Sequence, residues 1–335
     1  MKLQTNIGNF KPENRIFLAP IAEVNDIAFR LLCKKQGAGL TYTGMINPLT
    51  QKQLDLDDCP AIQLFCTNEE GIAEFIKKYQ DKVSLFDFNL GCPAKTARKL
   101  GFGAFLHNKL EIIEKILKTM RQSTQKPITI KLRKSKYTMK IIKIAEKYCD
   151  AICIHPRTEQ QGYSGTPDMD FALRLKKRTK LPVIYSGDVN ENNALCLLKQ
   201  FDFIMIARSA LGNPNIFAEI NKKLSDDKNN ASQNYKNNKL INNSLKNKYS
   251  SQSDTLEHTI MDKIASRVSN INKSKSSENK ITFTDYLNLA QKYNLKFSQI
   301  KMQAMYFTLG KNNAKDLRRK LVKAKTINEI KEIMN

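Results

Sequence analysis

Residues 127–156 read PITIKLRKSKYTMKIIKIAEKYCDAICIHP. Two short β-prone runs, PITIKL (127–132) and AICIHP (151–156), flank TMKIIKIAEKYC (138–149), a segment with the mixed apolar and charged pattern of an amphipathic helix. Strand, crossover helix and strand form the repeating unit of a parallel sheet. The same unit recurs on both sides. Upstream lie RIFLAP (15–20), LTYTG (40–44), AIQLF (61–65) and SLFDFNL (84–90); downstream lie PVIYSG (182–187) and FIMIAR (203–208). Each interval between runs is long enough for a crossover. Eight such units between residues 15 and 210 predict an α/β chain closed into a (β/α)8 barrel of the TIM type. An open doubly wound sheet is the competing arrangement, but no G-x-G-x-x-G follows the first strand.

A barrel of this kind carries its chemistry at the C-terminal ends of its strands. Polar or special residues collect there: Ala19 and Pro20, Gln63, Asn89 with Cys92, Lys131 with Arg133, His155 with Arg157, Gly187 with Asp188, and Arg208. Buried polar groups are costly unless paired, so seven strand ends of this kind argue for a site rather than for packing. The loops SGDVN and ARSALGNP, after strands seven and eight, stand where such barrels hold a phosphate. Gly187 allows close backbone approach, and Arg208 supplies a cation. Lys131, His155 and Gln63 are suitable partners for the ring nitrogens and oxygens of a flavin.

The seven cysteines are an odd number scattered over the first 200 residues, which argues against a disulfide framework. There is no C-x-x-C and there are only three histidines, so no structural metal site is expected. Cys92 stands apart because it follows Asn-x-Gly and precedes Pro at a strand end. An ordinary thiol, with a pKa of roughly 8.5, is protonated at neutral pH and can donate that proton without activation.

The chain has 335 residues, 41% of them hydrophobic, and a formal net charge of +24. That charge favours a polyanionic partner such as nucleic acid. No apolar run is long enough to span a membrane, and the N-terminus lacks the apolar core of a signal peptide, so a soluble, cytoplasmic protein without a membrane partner is expected, and it is expected to be a monomer. Three regions are expected. Residues 1–218 form the catalytic barrel. Residues 219–280, with 12 Asn and 11 Lys, form a linker or insertion, partly disordered, with a possible helix at 256–268. Residues 281–335 recover helical periodicity and form a basic helical domain. From 219 to the end there are 23 Lys+Arg and 11 Asp+Glu, a net +12, half of the total excess.

The motifs resemble those of the tRNA-dihydrouridine synthases. The segment from Ala19-Pro20-Ile21-Ala22 to Phe29-Arg30 is similar to that family's opening strand and turn. Gln63-Leu64-Phe65, Asn89-Leu90-Gly91-Cys92-Pro93, Lys131-Leu132-Arg133, His155-Pro156-Arg157-Thr158, Ser186-Gly187-Asp188-Val189 and Ala207-Arg208 follow in the family's order. The resemblance implies FMN at the barrel mouth, held by Pro20, Ile21, Ala22, Gln63, Lys131, His155, Ser186, Gly187, Asp188, Ala207 and Arg208. It implies NADPH or NADH as reductant and tRNA as substrate, with uridine reduced to 5,6-dihydrouridine. Cys92 is implied as the proton donor, and Asn89, Lys95, Arg133 and Arg157 as holders of the uracil and nearby RNA. Residues 281–335 resemble the family's RNA-binding helices more loosely. Ile21, Glu23, Ser186 and Ala207 depart from the family pattern, which has Met, Gly, Asn and Gly there. The alternatives are an FMN barrel acting on a free pyrimidine, like dihydroorotate dehydrogenase, and an RNA-binding barrel without catalysis.

Overall fold

A computed structural model describes residues 3–227 and 280–335. The possible helix at 256–268 and most of the expected linker lie outside the described residues. All eight expected strands form: β1 Ile16–Leu18, β2 Tyr42–Ile46, β3 Ala61–Leu64, β4 Leu85–Leu90, β5 Ile128–Arg133, β6 Ala151–His155, β7 Val183–Ser186 and β8 Phe203–Ile206. They pair in parallel as β1-β8-β7-β6-β5-β4-β3-β2. The two ends of that order meet where Phe17 bridges Leu40 and the Leu18 N–H donates to the Leu40 carbonyl at 2.9 Å. A barrel results, and the open doubly wound sheet is excluded.

Helices occupy the crossovers. α1 (Ile27–Lys35) starts at Asp26, whose side chain accepts from the Phe29 N–H, and ends with Lys34 and Lys35, which suit the negative end of its dipole. α2 (Ile72–Tyr79) and the short α3 (Lys95–Leu100) follow. α4 (Leu110–Ser123) buries Ile113, Ile116, Leu117 and Met120, a stripe at helical spacing. α5 (Thr138–Tyr148) buries Ile141, Ile142, Ile144 and Ala145. α6 (Met169–Arg178) and α7 (Ala194–Gln200) complete the set.

Strand alternation decides what fills the barrel. Inward positions toward the N-terminal end are apolar: Phe17, Tyr42, Ala61, Leu85, Ala151 and Phe203 pack together, with Ile7 beneath them. Phe17 and Phe203 stack with ring centroids 5.0 Å apart. Further along β3 to β6 the inward positions turn polar, giving Gln63 on β3, Asp87 and then Asn89 on β4, Thr129 and then Lys131 on β5, and His155 on β6, whereas Ala19 on the β1 side and Met205 on β8 stay in the apolar cluster. The registers Gln63 with Asp87, Asp87 with Thr129, and Asn89 with Lys131 set these side chains next to one another.

Residues 3–220 and 281–335 belong to one compact unit. The helical periodicity expected over 281–335 resolves into four helices, Phe283–Lys292, Phe297–Tyr306, Ala314–Lys323 and Ile327–Met334. Asn294 takes the left-handed conformation (φ 50°) and closes the first helix. Thr326 caps the last through the Glu329 N–H. These helices rest on loops of the barrel. Asn215 Nδ2 donates to the Ile281 carbonyl at 3.0 Å, and its Oδ1 accepts from the Ile281 N–H at 2.8 Å. Tyr286 Oη donates to Asp26 at 3.0 Å, and Gln303 Nε2 donates to the Val24 carbonyl at 2.7 Å. Gly212 approaches Tyr306 so closely that a Cβ would lie 2.1 Å from its carbonyl oxygen.

Candidate active site

A cavity of about 720 Å³ opens at the C-terminal end of the barrel. That size suits a small-molecule or cofactor site. A second cavity, about 520 Å³, lies against Asn9, Cys59, Ser84, Thr124 and Lys126, which precede the strands, at the end where such barrels do not place chemistry.

Every residue named above as a flavin holder lines the first cavity: Pro20, Ile21, Ala22, Gln63, Lys131, His155, Ser186, Gly187, Asp188, Ala207 and Arg208. Cys92, Asn89 and Arg133 line it too. Cys92 is half-buried, and it is the one cysteine of the seven in this wall. Cys33, Cys66, Cys149 and Cys153 are buried, and burial pushes all four thiols up, Cys66 and Cys153 to about 12.

The loop carrying Cys92 is hung from Asn89. Asn89 Oδ1 accepts from the N–H groups of Gly91 at 3.1 Å and Cys92 at 3.0 Å. Asn89 Nδ2 donates to Gln63 Oε1 at 2.7 Å. The other side of the loop is held by Arg133, which is buried. Its Nε donates to the Gly91 carbonyl at 2.8 Å, and its Nη1 to the carbonyls of Thr158 at 3.0 Å and Gly162 at 2.6 Å. Three of its five N–H groups therefore position loops, and its side chain also interacts with Tyr163.

His155 is buried in this wall among Lys131, Arg133, Arg157 and Arg208. Burial first, and then those four cations, hold its pKa down at about 2, so it is a neutral imidazole at physiological pH. Arg157 Nη1 donates to its Nε2 at 3.2 Å, which leaves Nδ1 to carry the proton. Lys131 makes no side-chain hydrogen bond among the described residues and so keeps its three N–H donors. Asp188, itself left-handed (φ 49°), pairs with Arg157 at 2.6 Å and with Arg208. Its carboxyl is held below the usual range, chiefly by the bond from Arg157. Gly187 (φ 140°) is a backbone cradle, since a Cβ there would lie 3.2 Å from the His155 ring.

Two of the residues expected to hold the uracil or nearby RNA do not line this cavity. Arg157 is buried behind the wall, and its five N–H groups go to His155, Asp188 and the carbonyls of Ser164 and Gly165. Lys95 is exposed at the start of α3; its neighbour Thr96 lines the cavity instead. Glu23 is exposed outside the wall at φ 63°, a conformation its glycine counterpart in the family would take without strain.

Tyr163 was not singled out by sequence reasoning. It lines the cavity, is 61% exposed, and lies between the guanidinium groups of Arg133 and Arg208, 5.3 Å and 5.2 Å from its ring centroid. An aromatic residue between Gly162 and Gly165 in the loop after β6 was the available signal. Among the described residues no group of three or more His, Cys, Asp or Glu side chains could hold a metal ion, and no helix is long and apolar enough to cross a membrane.

These residues fit a flavin mononucleotide. A neutral imidazole donor, a free ammonium and the remaining Gln63 N–H can meet ring heteroatoms, while the Gly187 cradle beside Arg208 can take an anion.

A family model described as dihydrouridine synthase matches residues 17–305. The chain is 31% identical over 234 residues to tRNA-dihydrouridine synthase B of Pasteurella multocida, covering 63% of this chain and 70% of that protein. It is 32% identical over 236 residues to tRNA-dihydrouridine synthase B of Xanthomonas axonopodis pv. citri, covering 64% and 71%. A probable tRNA-dihydrouridine synthase of Rickettsia bellii is 31% identical over 240 residues, covering 65% and 74%. Two solved structures share the fold: a 2-naphthoyl-CoA reductase complex (TM-score 0.51, 13% identity, 65% of this chain and 51% of that one) and TcOYE with pHBA (TM-score 0.50, 8% identity, 65% and 91%).

Proposed function

The chain belongs to the dihydrouridine synthase family, and from that premise we propose that it reduces specific uridines in tRNA to 5,6-dihydrouridine. The observation that carries this reading is the wall that brings Cys92 together with Lys131, His155 and Arg208 around one cavity. FMN, when bound and reduced by NADPH or NADH, supplies the hydride that uracil C6 receives. Cys92 gives its thiol proton to C5, so that hydride and proton together saturate the C5=C6 bond.

The other residues bind and orient. Lys131 and the Nδ1–H of His155 would hold the flavin ring, and the fixed neutrality of His155 keeps that donor constant across physiological pH. Pro20, Ile21 and Ala22 pack against the cofactor, and Gln63 offers its remaining N–H. Ser186, Gly187, Asp188, Ala207 and Arg208 form the phosphate end. Asn89 and Arg133 hold the uracil, while Arg157 holds His155 and Asp188 in place. Uracil must leave its stack to reach this wall. Lys95, with Arg98 and Lys99 on α3, contacts RNA phosphates at the rim, and the basic helix Ala314–Lys323 holds the body of the tRNA. The chain works as a monomer.

Mapping dihydrouridine in tRNA from cells with and without the gene tests this reading. Loss of dihydrouridine at defined positions is expected; an unchanged map contradicts it.

A further inference from the structure

Below the cavity wall lies a carboxylate with no assigned role. Asp87 is fully buried on β4, one inward position beneath Asn89. Thr129 Oγ1 donates to its Oδ1 at 2.5 Å, and Gln63 Nε2 donates to its Oδ2 at 2.6 Å. Lys131, Tyr42 and Cys153 on β5, β2 and β6, with Cys149 just before β6, are the other titratable groups that interact with it.

The chemistry of these bonds gives them one direction. An ionised carboxylate only accepts, so Gln63 must turn its NH2 toward Asp87. Gln63 Oε1 then faces Asn89 and can only accept, so Asn89 must present its own NH2 there. Asn89 Oδ1 is left facing the loop, where it accepts from Gly91 and Cys92. Reversing either amide would set two donors or two acceptors against each other in a buried site, where unmade bonds are expensive.

We infer that Asp87 is a positioning residue: it fixes the amide orientations of Gln63 and Asn89, and through Asn89 it sets the backbone that carries the Cys92 thiol. Its effect on turnover rests on the role proposed above for Cys92; its effect on the position of the thiol does not. Burial pushes the Asp87 carboxyl up to about 6, against the lowering effects of Gln63, Thr129 and Lys131, so at neutral pH the accepting form prevails.

The test uses the full-length protein in two measurements. The first is the rate of iodoacetamide alkylation at Cys92, read by peptide mapping without added FMN, with the exposed Cys59 and Cys196 as internal references. Asp87→Asn should speed Cys92 alkylation by about threefold or more, the low end of couplings between bonded neighbours, and leave Cys59 and Cys196 unchanged. The second is steady-state dihydrouridine formation with FMN, NADPH and tRNA. Asp87→Asn should lower kcat by about ten- to a hundredfold with KM for tRNA unchanged, and have no further effect in a Cys92→Ala background. If Asp87→Asn does not fold, Thr129→Val, which removes one donor to the carboxylate, should shift Cys92 alkylation in the same direction. Wild-type alkylation of Cys92 in a folded variant would overturn the inference. If Cys92→Ala itself retains full turnover, the proton-donor role fails, and the alkylation result still decides whether Asp87 positions the loop.

Discussion

A Cβ placed on Gly103 would lie 2.8 Å from the Cys92 carbonyl oxygen and 2.9 Å from the Cys92 Cβ. Gly103 follows α3 in a tight turn at φ 66°, and the N–H of its neighbour Ala104 donates to that same carbonyl at 3.2 Å. The thiol is therefore held from above by Asn89 and from the side by a residue that must be glycine.

Gly103→Ala should push the Cys92 backbone aside. Both the left-handed φ and the contact oppose it, at a cost of about 1–3 kcal/mol in stability. A misplacement of roughly 1 Å at the proton donor should lower dihydrouridine formation by up to about a hundredfold. Gly103 does not line the cavity, so flavin binding, followed by absorbance, should be retained.

His155 makes a pH prediction with a defined sign. Its folded pKa, about 2, lies below the 6.5 of an unfolded histidine. Between those values the unfolded chain binds more protons, so the stability tied to a neutral His155 is complete above the unfolded pKa and is lost as pH falls. Wild type should lose about 2 kcal/mol relative to His155→Gln between about pH 7.5 and about pH 5, measured by urea unfolding. Taking the difference between the two proteins cancels the other titrating groups.

The helix Ala314–Lys323 carries Lys315, Arg318, Arg319, Lys320 and Lys323 against a single acidic residue, Asp316. Arg319, Lys320 and Lys323 are exposed. Replacing all three by Ala should weaken tRNA binding and reduce the slope of log K against log salt by about 0.7–0.9 per charge. Flavin reduction by NADPH should be unchanged. An unaltered salt slope would remove this helix from the RNA contact.

The barrel was legible because strand alternation and interval length carry it, and all eight runs became strands. Lys131 and His155 were legible for the same reason: each occupies an inward position at a strand end. Arg157 was not, because β6 stops at His155 and the chain then folds Arg157 back beneath its own loop, a tertiary event with no periodic signature. Tyr163 escaped because its place depends on two arginines from other strands. Asp87 sat inside a run read only for its alternation, and its importance appears once Gln63 and Thr129 are known to flank it. The break between Phe283–Lys292 and Phe297–Tyr306 turned on the left-handed Asn294, which apolar periodicity does not encode.

Removing the Cys92 thiol tests its proposed role as proton donor most directly. Purified Cys92→Ala should bind FMN and tRNA and accept electrons from NADPH as wild type does, while dihydrouridine formed per tRNA in single turnover falls by about 10²–10⁴-fold. Dihydrouridine formation at the wild-type rate in that variant would contradict the proton-donor role of Cys92.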